Sequence, residues 1–127
     1  MATKDLTQET FQETIENNDI VLVDWWADWC GPCKMFAPVY NEVSEKHEDI
    51  VFGKIDTEDQ QQLAAAAGIS SIPTLMAFRE NVLVFSQPGA INAQQLDSLI
   101  EQVRGLDMEE VHKKVEEARA KAEQNKN

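Results

Sequence analysis

Seven residues, Ile20-Val21-Leu22-Val23-Asp24-Trp25-Trp26, constrain this chain more than any others. An unbroken aliphatic run rich in β-branched residues reads as a strand covered on both faces. Such a strand belongs inside a sheet flanked by helices, so the run points to a layered α/β domain. Its one charged member, Asp24, is costly to bury unless it is paired or neutral. Directly after it comes Trp29-Cys30-Gly31-Pro32-Cys33-Lys34, where the pattern turns helical. In open α/β sheets, functional groups gather beyond the carboxyl ends of central strands, and this stretch falls there.

The pattern on either side agrees. Thr7 can cap a first helix with Phe11 and Ile15 on one face, ended by Asn17-Asn18-Asp19. A second helix is expected from about Gly31 to Glu48. Its apolar stripe is Met35, Phe36, Val39, Tyr40 and Val43, and Pro38 should kink it. Ile50 to Asp56 is a strand carrying Lys54. Gln60 to Ala67 is a short helix closed by Gly68. Thr74–Phe78 and Val82–Gln87 form a hairpin through Arg79-Glu80-Asn81, with Asn81 suited to a positive φ. Asn92 and Gln95 make a capping box for a helix that buries Leu96, Leu99, Ile100 and Val103 and stops at Gly105. From Ile20 onward the order is β-α-β-α-β-β-α, with room for a short edge strand before Thr7. Strands joined through helices run parallel and the hairpin adds an antiparallel pair. The expected architecture is a three-layer α/β/α domain with a central mixed sheet over residues 1–105.

Residues 106–127 form a separate extension. Asp107 and Glu110 suggest a capping box, and Glu109–Lys113, Glu110–Lys114 and Glu117–Lys121 are i,i+4 pairs in the favourable order. Met108, Val111, Val115, Ala118 and Ala122 give a thin apolar stripe. A helix to about residue 122 is expected, in modest contact with the domain.

Charge narrows the partners. A formal net charge of −12 argues against nucleic acid and anionic membrane surfaces. The densest apolar stretch is too short to span a bilayer. The polar start has no apolar signal core. Two cysteines without an export signal imply a reducing compartment, so a cytoplasmic location is expected.

The cysteine spacing carries the chemistry. On a helix, residues three apart share a face, so the sulfurs of Cys30 and Cys33 can meet and part repeatedly. Cys30 falls at the helix start, where free N–H groups and the dipole favour an anion. Such a position lowers a thiol's pKa, and the thiolate is the attacking form. Cys33, one turn further in, should be the less exposed. Cys30 would attack a target disulfide, and Cys33 would then attack Cys30 and release the reduced target. Pro32 suits an early helical position, and Gly31 lets a partner's backbone come close. Half a zinc site is the weaker reading, because only His47 and His112 could complete it and they are far apart. A structural bridge is also weaker, because so short a loop barely constrains the unfolded chain.

These pieces together resemble the thioredoxin family. The likeness covers roughly Leu6 to Arg104. It rests on Val23-Asp24-Trp25-Trp26-Ala27 leading into Trp29-Cys30-Gly31-Pro32-Cys33-Lys34, then Pro38, Lys54, Ile72-Pro73-Thr74 and Gly89-Ala90. The resemblance implies a protein-disulfide reductase without a bound cofactor or metal. Its implied partners are disulfide-containing target proteins and an NADPH-dependent flavoprotein reductase that recharges it; a monomer is expected. It implies a cis Ile72–Pro73 peptide beside the cysteines. It places Asp24 beneath Cys33, assisting deprotonation, with Lys54 opposing the rise in Asp24's pKa that burial brings. Without the resemblance, Asp24 could as well end its strand in solvent, and Lys54 could be a plain exposed lysine. The implied docking surface is Trp29, Gly31, Pro32, Ile72, Pro73, Gly89 and Ala90, with Asp28 and Asp59 at its rim. Trp26 is expected under the site, and Trp25 in the core. Three residues depart from the family pattern: Trp25 where phenylalanine is more familiar, Asn81 for glycine in the hairpin, and Pro88 before Gly89. Within the same fold a thiol oxidant or isomerase is the rival, separable by reduction potential. A non-redox peptide-binding holdase is the rival from another class, separable by insulin reduction.

Overall fold

A computed structural model describes residues 2–125. The chain runs β1 (Thr3–Asp5), α1 (Phe11–Asn17), β2 (Ile20–Trp26), α2 (Gly31–Ser44), β3 (Val51–Asp56), α3 (Gln61–Ala66), β4 (Thr74–Arg79), β5 (Val82–Pro88), α4 (Ala93–Arg104) and α5 (Met108–Gln124). The five strands form one sheet in the order β1-β3-β2-β4-β5. β2 is central, parallel to β3 and antiparallel to β4. The doubly covered run is therefore the sheet's middle strand, and the edge strand expected before Thr7 is present as β1, parallel to β3.

Alternation along β2 divides the core. Ile20 and Leu22 pack with Phe36, Tyr40 and Val43 of α2 and with Leu96, Ile100 and Val103 of α4. Val21, Val23 and Trp25 pack on the other face with Ile15 of α1 and Leu63 and Ala64 of α3. Successive strand residues point to opposite faces. Asp24 therefore shares the α2 face with Leu22, and Trp25 lies in the opposite layer.

Several boundaries move. The first helix begins at Phe11 with Thr10 as its N-cap, because Thr7 is taken up in a turn: its N–H bonds Thr10 Oγ1 at 3.0 Å, and its carbonyl accepts from Phe11 N at 2.9 Å. α2 ends at Ser44, short of Glu48, in a tight turn where Ser44 Oγ donates to Asn41 O at 2.6 Å. Met35 is not on the buried stripe but 75% exposed, since the inward face runs through Cys33, Phe36, Tyr40 and Val43. The hairpin uses two positive-φ residues, Glu80 at 51° and Asn81 at 66°. Gly105 caps α4 with φ −84°, using no left-handed conformation.

The capping box at Asn92 forms in both directions, with Gln95 N donating to Asn92 Oδ1 at 2.8 Å and Asn92 N to Gln95 Oε1 at 2.9 Å. At α5 only half of it forms: Glu110 N donates to Asp107 Oδ1 at 3.3 Å. Arg79 ties the α4–α5 elbow to the hairpin. Its Nη1 donates to the carbonyls of Val103 (2.9 Å), Arg104 (3.1 Å) and Leu106 (3.1 Å). His112 Nε2 lies 2.8 Å from Glu80 Oε1, a second link between α5 and the hairpin. Met108 is buried, whereas Glu116 to Asn125 are exposed, so α5 touches the domain over its first turns only. Among the described residues, no helix is long and apolar enough to cross a membrane.

Candidate active site

The sheet delivers its central strand to the start of α2. After Trp26 the chain turns through Ala27-Asp28-Trp29, and Cys30 N donates to Ala27 O at 3.2 Å. Cys30 is the N-cap of α2, with extended backbone, and its Sγ accepts the Cys33 N–H at 3.2 Å. An N-cap side chain normally uses an oxygen for this purpose. Here sulfur takes the place, so negative charge on Cys30 Sγ meets a backbone donor and the positive end of the helix. Gly31 and Pro32 fill the first two helical positions and are exposed.

Cys30 and Cys33 form a disulfide, with Cα atoms 5.2 Å apart. Each is 3% exposed, so the expected difference in exposure is absent in this oxidised state. The bond holds both sulfurs against the protein. What separates the two cysteines is position: Cys30 caps the helix, while Cys33 lies within it and faces the sheet. Cys30 Sγ sits 3.7 Å from Ile72 O. The Ile72–Pro73 peptide is cis, as the resemblance implies, and its loop lies beside the sulfurs. Gly89, with φ +104°, donates its N–H to Pro73 O at 2.8 Å. Trp29, Gly31, Pro32, Gly89 and Ala90 are exposed, Ile72 is half-buried and Pro73 is buried. The loops carrying Cys30, Pro73 and Gly89 are thus joined in a chain of contacts.

Asp24 is fully buried, which removes the reading of a solvated strand end. Neither carboxylate oxygen has a hydrogen-bond partner among the described residues. Burial pushes its pKa up from 3.8 to about 7, with the charge of Lys54 working the other way. Lys54 stands opposite Asp24 in the β2–β3 register. It is not on an edge strand, because β3 has β1 on its other side. Its Nζ lies 5.0 Å from the centre of the Trp26 ring, a cation–π contact. Lys54 and Cys33 line one small cavity of about 80 Å³ with Trp26, Asp28, Lys34 and Ala37. Tyr40 faces the same layer: its hydroxyl donates to Gly53 O at 2.8 Å, and burial with Asp24 nearby drives its pKa well above 10.

Sequence reasoning misses two neighbours of the site. Met35 is exposed one turn beyond Pro32, where i and i+3 side chains adjoin, and only its apolar character is legible in the sequence. Glu58 Oε1 accepts the Trp29 indole N–H at 3.3 Å; nothing in the spacing of Trp29 and Glu58 signals that contact. Trp29 itself is 70% exposed.

Comparison with known proteins agrees with this geometry. The family model described as Thioredoxin matches residues 2–102. A protein of Streptomyces coelicolor described as putative thioredoxin 2 is 56% identical over 121 residues, covering 95% of this chain and 90% of that one. A thioredoxin of Porphyra purpurea is 42% identical over 102 residues, 79% of this chain and 95% of its own. Among solved structures, Plasmodium falciparum thioredoxin superposes with a TM-score of 0.73 at 37% identity, covering 79% of this chain and 98% of that one. A mutant thioredoxin from Halobacterium salinarum gives 0.74 at 36% identity, over 80% of this chain and 90% of that one. A redox-capable cysteine pair at a helix start, a cis proline beside it and these relatives lead to one conclusion: the chain belongs to the thioredoxin family.

Proposed function

We propose that Cys30 is the attacking sulfur and Cys33 the resolving one in a chain whose family and cysteine pair make it a dithiol–disulfide oxidoreductase. One observation carries this assignment: Cys30 Sγ is the N-cap acceptor of α2. In the reduced protein that hydrogen bond and the helix dipole favour the Cys30 thiolate. The thiolate attacks one sulfur of a target disulfide. A mixed disulfide forms, and the target's other sulfur leaves as a thiolate and takes a proton from water. Cys33 then loses its proton and attacks Cys30 Sγ. The target's second sulfur leaves, and the Cys30–Cys33 disulfide holds the two-electron change.

Asp24 is the base for Cys33 in this reading. With a pKa near 7 it can take a proton at neutral pH. It works directly or through a water in the cavity that Cys33 and Lys54 share. Lys54 holds the pKa of Asp24 below the value that burial alone would give. Targets dock on Trp29, Gly31, Pro32, Ile72, Pro73, Gly89 and Ala90, an apolar rim suited to extended segments. The protein runs in the reducing direction in the cytoplasm, as a monomer, and a thioredoxin reductase drawing on NADPH restores the dithiol. Residues 1–105 suffice for this chemistry, and 106–127 are an appendage to it.

The test is a trap. Cys33→Ser, reduced and incubated with cell extract, should accumulate mixed disulfides through Cys30. Cys30→Ser should accumulate none. Equal trapping by both variants, or by neither, overturns the assignment.

A further inference from the structure

One groove extends the docking surface beyond the residues named above. An open cavity of about 390 Å³ lies between Trp29 and the loop that leads to Pro73, lined by Trp29, Thr57, Ile69, Ser70, Ser71 and Ile72. It adjoins the reacting atoms, since Ile72 O is 3.7 Å from Cys30 Sγ. A residue next to the attacked cysteine of a bound target can therefore put its side chain there.

The chemistry of the walls selects that side chain. Ile69, Ile72 and the exposed Trp29 indole offer apolar surface and a π face. The indole N–H is fixed on Glu58 Oε1, which brings a carboxylate to the ring edge and leaves its second oxygen for a ligand. Asp56 holds Glu58 in place, its Oδ1 accepting from Glu58 N at 2.9 Å and from Asp59 N at 3.4 Å. Asp28 and Asp59, each next in sequence to one of that pair, are exposed as well. None of the lining residues is cationic, and the lysines nearest the cysteines, Lys34 and Lys54, line the separate cavity beside Cys33. A long apolar stem ending in a planar cation matches all of these features. The stem lies along Ile69 and Ile72, and the guanidinium reaches the indole face and Glu58. A phenyl side chain would gain nothing from Glu58, and an acidic one would be repelled.

We propose that this groove is a subsite for a cationic side chain, arginine above lysine, flanking the target's disulfide cysteine. The proposal rests on the disulfide-exchange reading above. It makes target choice depend on the sequence beside the disulfide and not only on an apolar patch.

Reduced protein and short peptides with one internal disulfide provide the test. Arginine, its neutral isostere citrulline and glutamate are placed in turn at the two positions on each side of the cysteines. The second-order rate of peptide reduction is read at low salt. One position should favour arginine over citrulline by roughly three- to tenfold, the sum of an exposed ion pair and a surface cation–π contact. Glu58→Gln should cut that preference by roughly two- to threefold, and Ser70→Arg should turn it toward glutamate. Glu116→Gln, far out on α5, should leave the preference intact. A preference of equal size at every position, or one equally weakened by Glu58→Gln and Glu116→Gln, would mean long-range attraction by the net charge of −12 and overturns the subsite. Equal rates for all peptides overturn it too while the disulfide-exchange reading stands. Reduction of none of them overturns both.

Discussion

Replacing Asp24 by asparagine should stabilise this protein, and by an amount that grows with pH. Asp24 is fully buried, both oxygens lack hydrogen-bond partners among the described residues, and its pKa rises from 3.8 to about 7 on folding. An acid whose folded pKa is raised leaves stability intact below its unfolded value. Stability is then lost as pH climbs, until the folded pKa is passed. At about 1.4 kcal/mol for each pH unit between the unfolded and folded pKa values, the full loss is about 4 kcal/mol. That is a large share of the roughly 5–15 kcal/mol that holds a domain together. Asparagine keeps the shape and cannot ionise. The difference in unfolding free energy between Asp24→Asn and the parent should therefore rise by about 1.4 kcal/mol per pH unit from about pH 4 to 7, then level off. Between pH 5 and 8 the increase is about 3 kcal/mol, a relative shift of the urea midpoint of roughly 1–3 M. Urea unfolding of the oxidised proteins is the assay, because the disulfide removes thiol titration. Subtraction cancels carboxylates of opposite sign, such as Asp49, whose pKa the Arg104 hydrogen bond lowers to about 2. A difference that stays flat from pH 5 to 8 would refute the argument that burial without a partner governs Asp24.

The same variant should resolve a mixed disulfide on Cys30 more slowly at pH 8, by at least about tenfold, and should lose the inflection near pH 7 that the parent shows; stopped-flow release of a fluorescent thiol reads both. Arg79→Ala removes the donor shared by three carbonyls at the α4–α5 elbow and should cost about 2 kcal/mol, with faster amide exchange at the start of α5. Asp49→Asn should cost less than about 1 kcal/mol at pH 7 in urea unfolding, because the Arg104 pair is exposed. The parent's advantage should disappear as pH falls through about 2, where the lowered pKa of Asp49 lies. Ending the chain after Leu106 should lose about 2 kcal/mol, mainly the burial of Met108, and leave insulin reduction unchanged.

The features legible in the sequence are those encoded within a few residues. Ile20 to Trp26 announces a doubly covered strand because every side chain in it has to be buried or neutral, and it is the sheet's centre. Asn92 and Gln95 announce a helix start because both partners of the box lie one turn apart. Cys30 and Cys33 announce a disulfide by their spacing. Contacts between distant segments are silent. Arg79 looks like a turn residue, yet it grips carbonyls more than twenty positions on. Glu58 looks like one more surface acid, yet it holds the Trp29 indole. Thr7 reads as a cap although Thr10, three residues on, competes for the same role, and only the turn linking them decides. The cis peptide at Pro73 comes from the resemblance, because no local pattern separates it from an ordinary proline turn.

Asp24 also shows why the site sits where it does. Along β2, alternate residues enter opposite layers, so an acid at position 24 must face α2 and one at position 25 would face α1 and α3. Only the first layer contains Cys33. Moving the carboxylate toward solvent would relieve its burial, but its pKa would then return toward 3.8 and it would be a poor proton acceptor at neutral pH. Pairing it closely with Lys54 would have the same effect, since that charge lowers the pKa. Lys54 instead lies over the Trp26 ring and faces the cavity beside Cys33, near enough to act on Asp24 without neutralising it. The loss of stability above about pH 4 and the capacity to take up a proton near pH 7 are thus one property of one buried carboxylate, and no single substitution at position 24 removes the first while keeping the second.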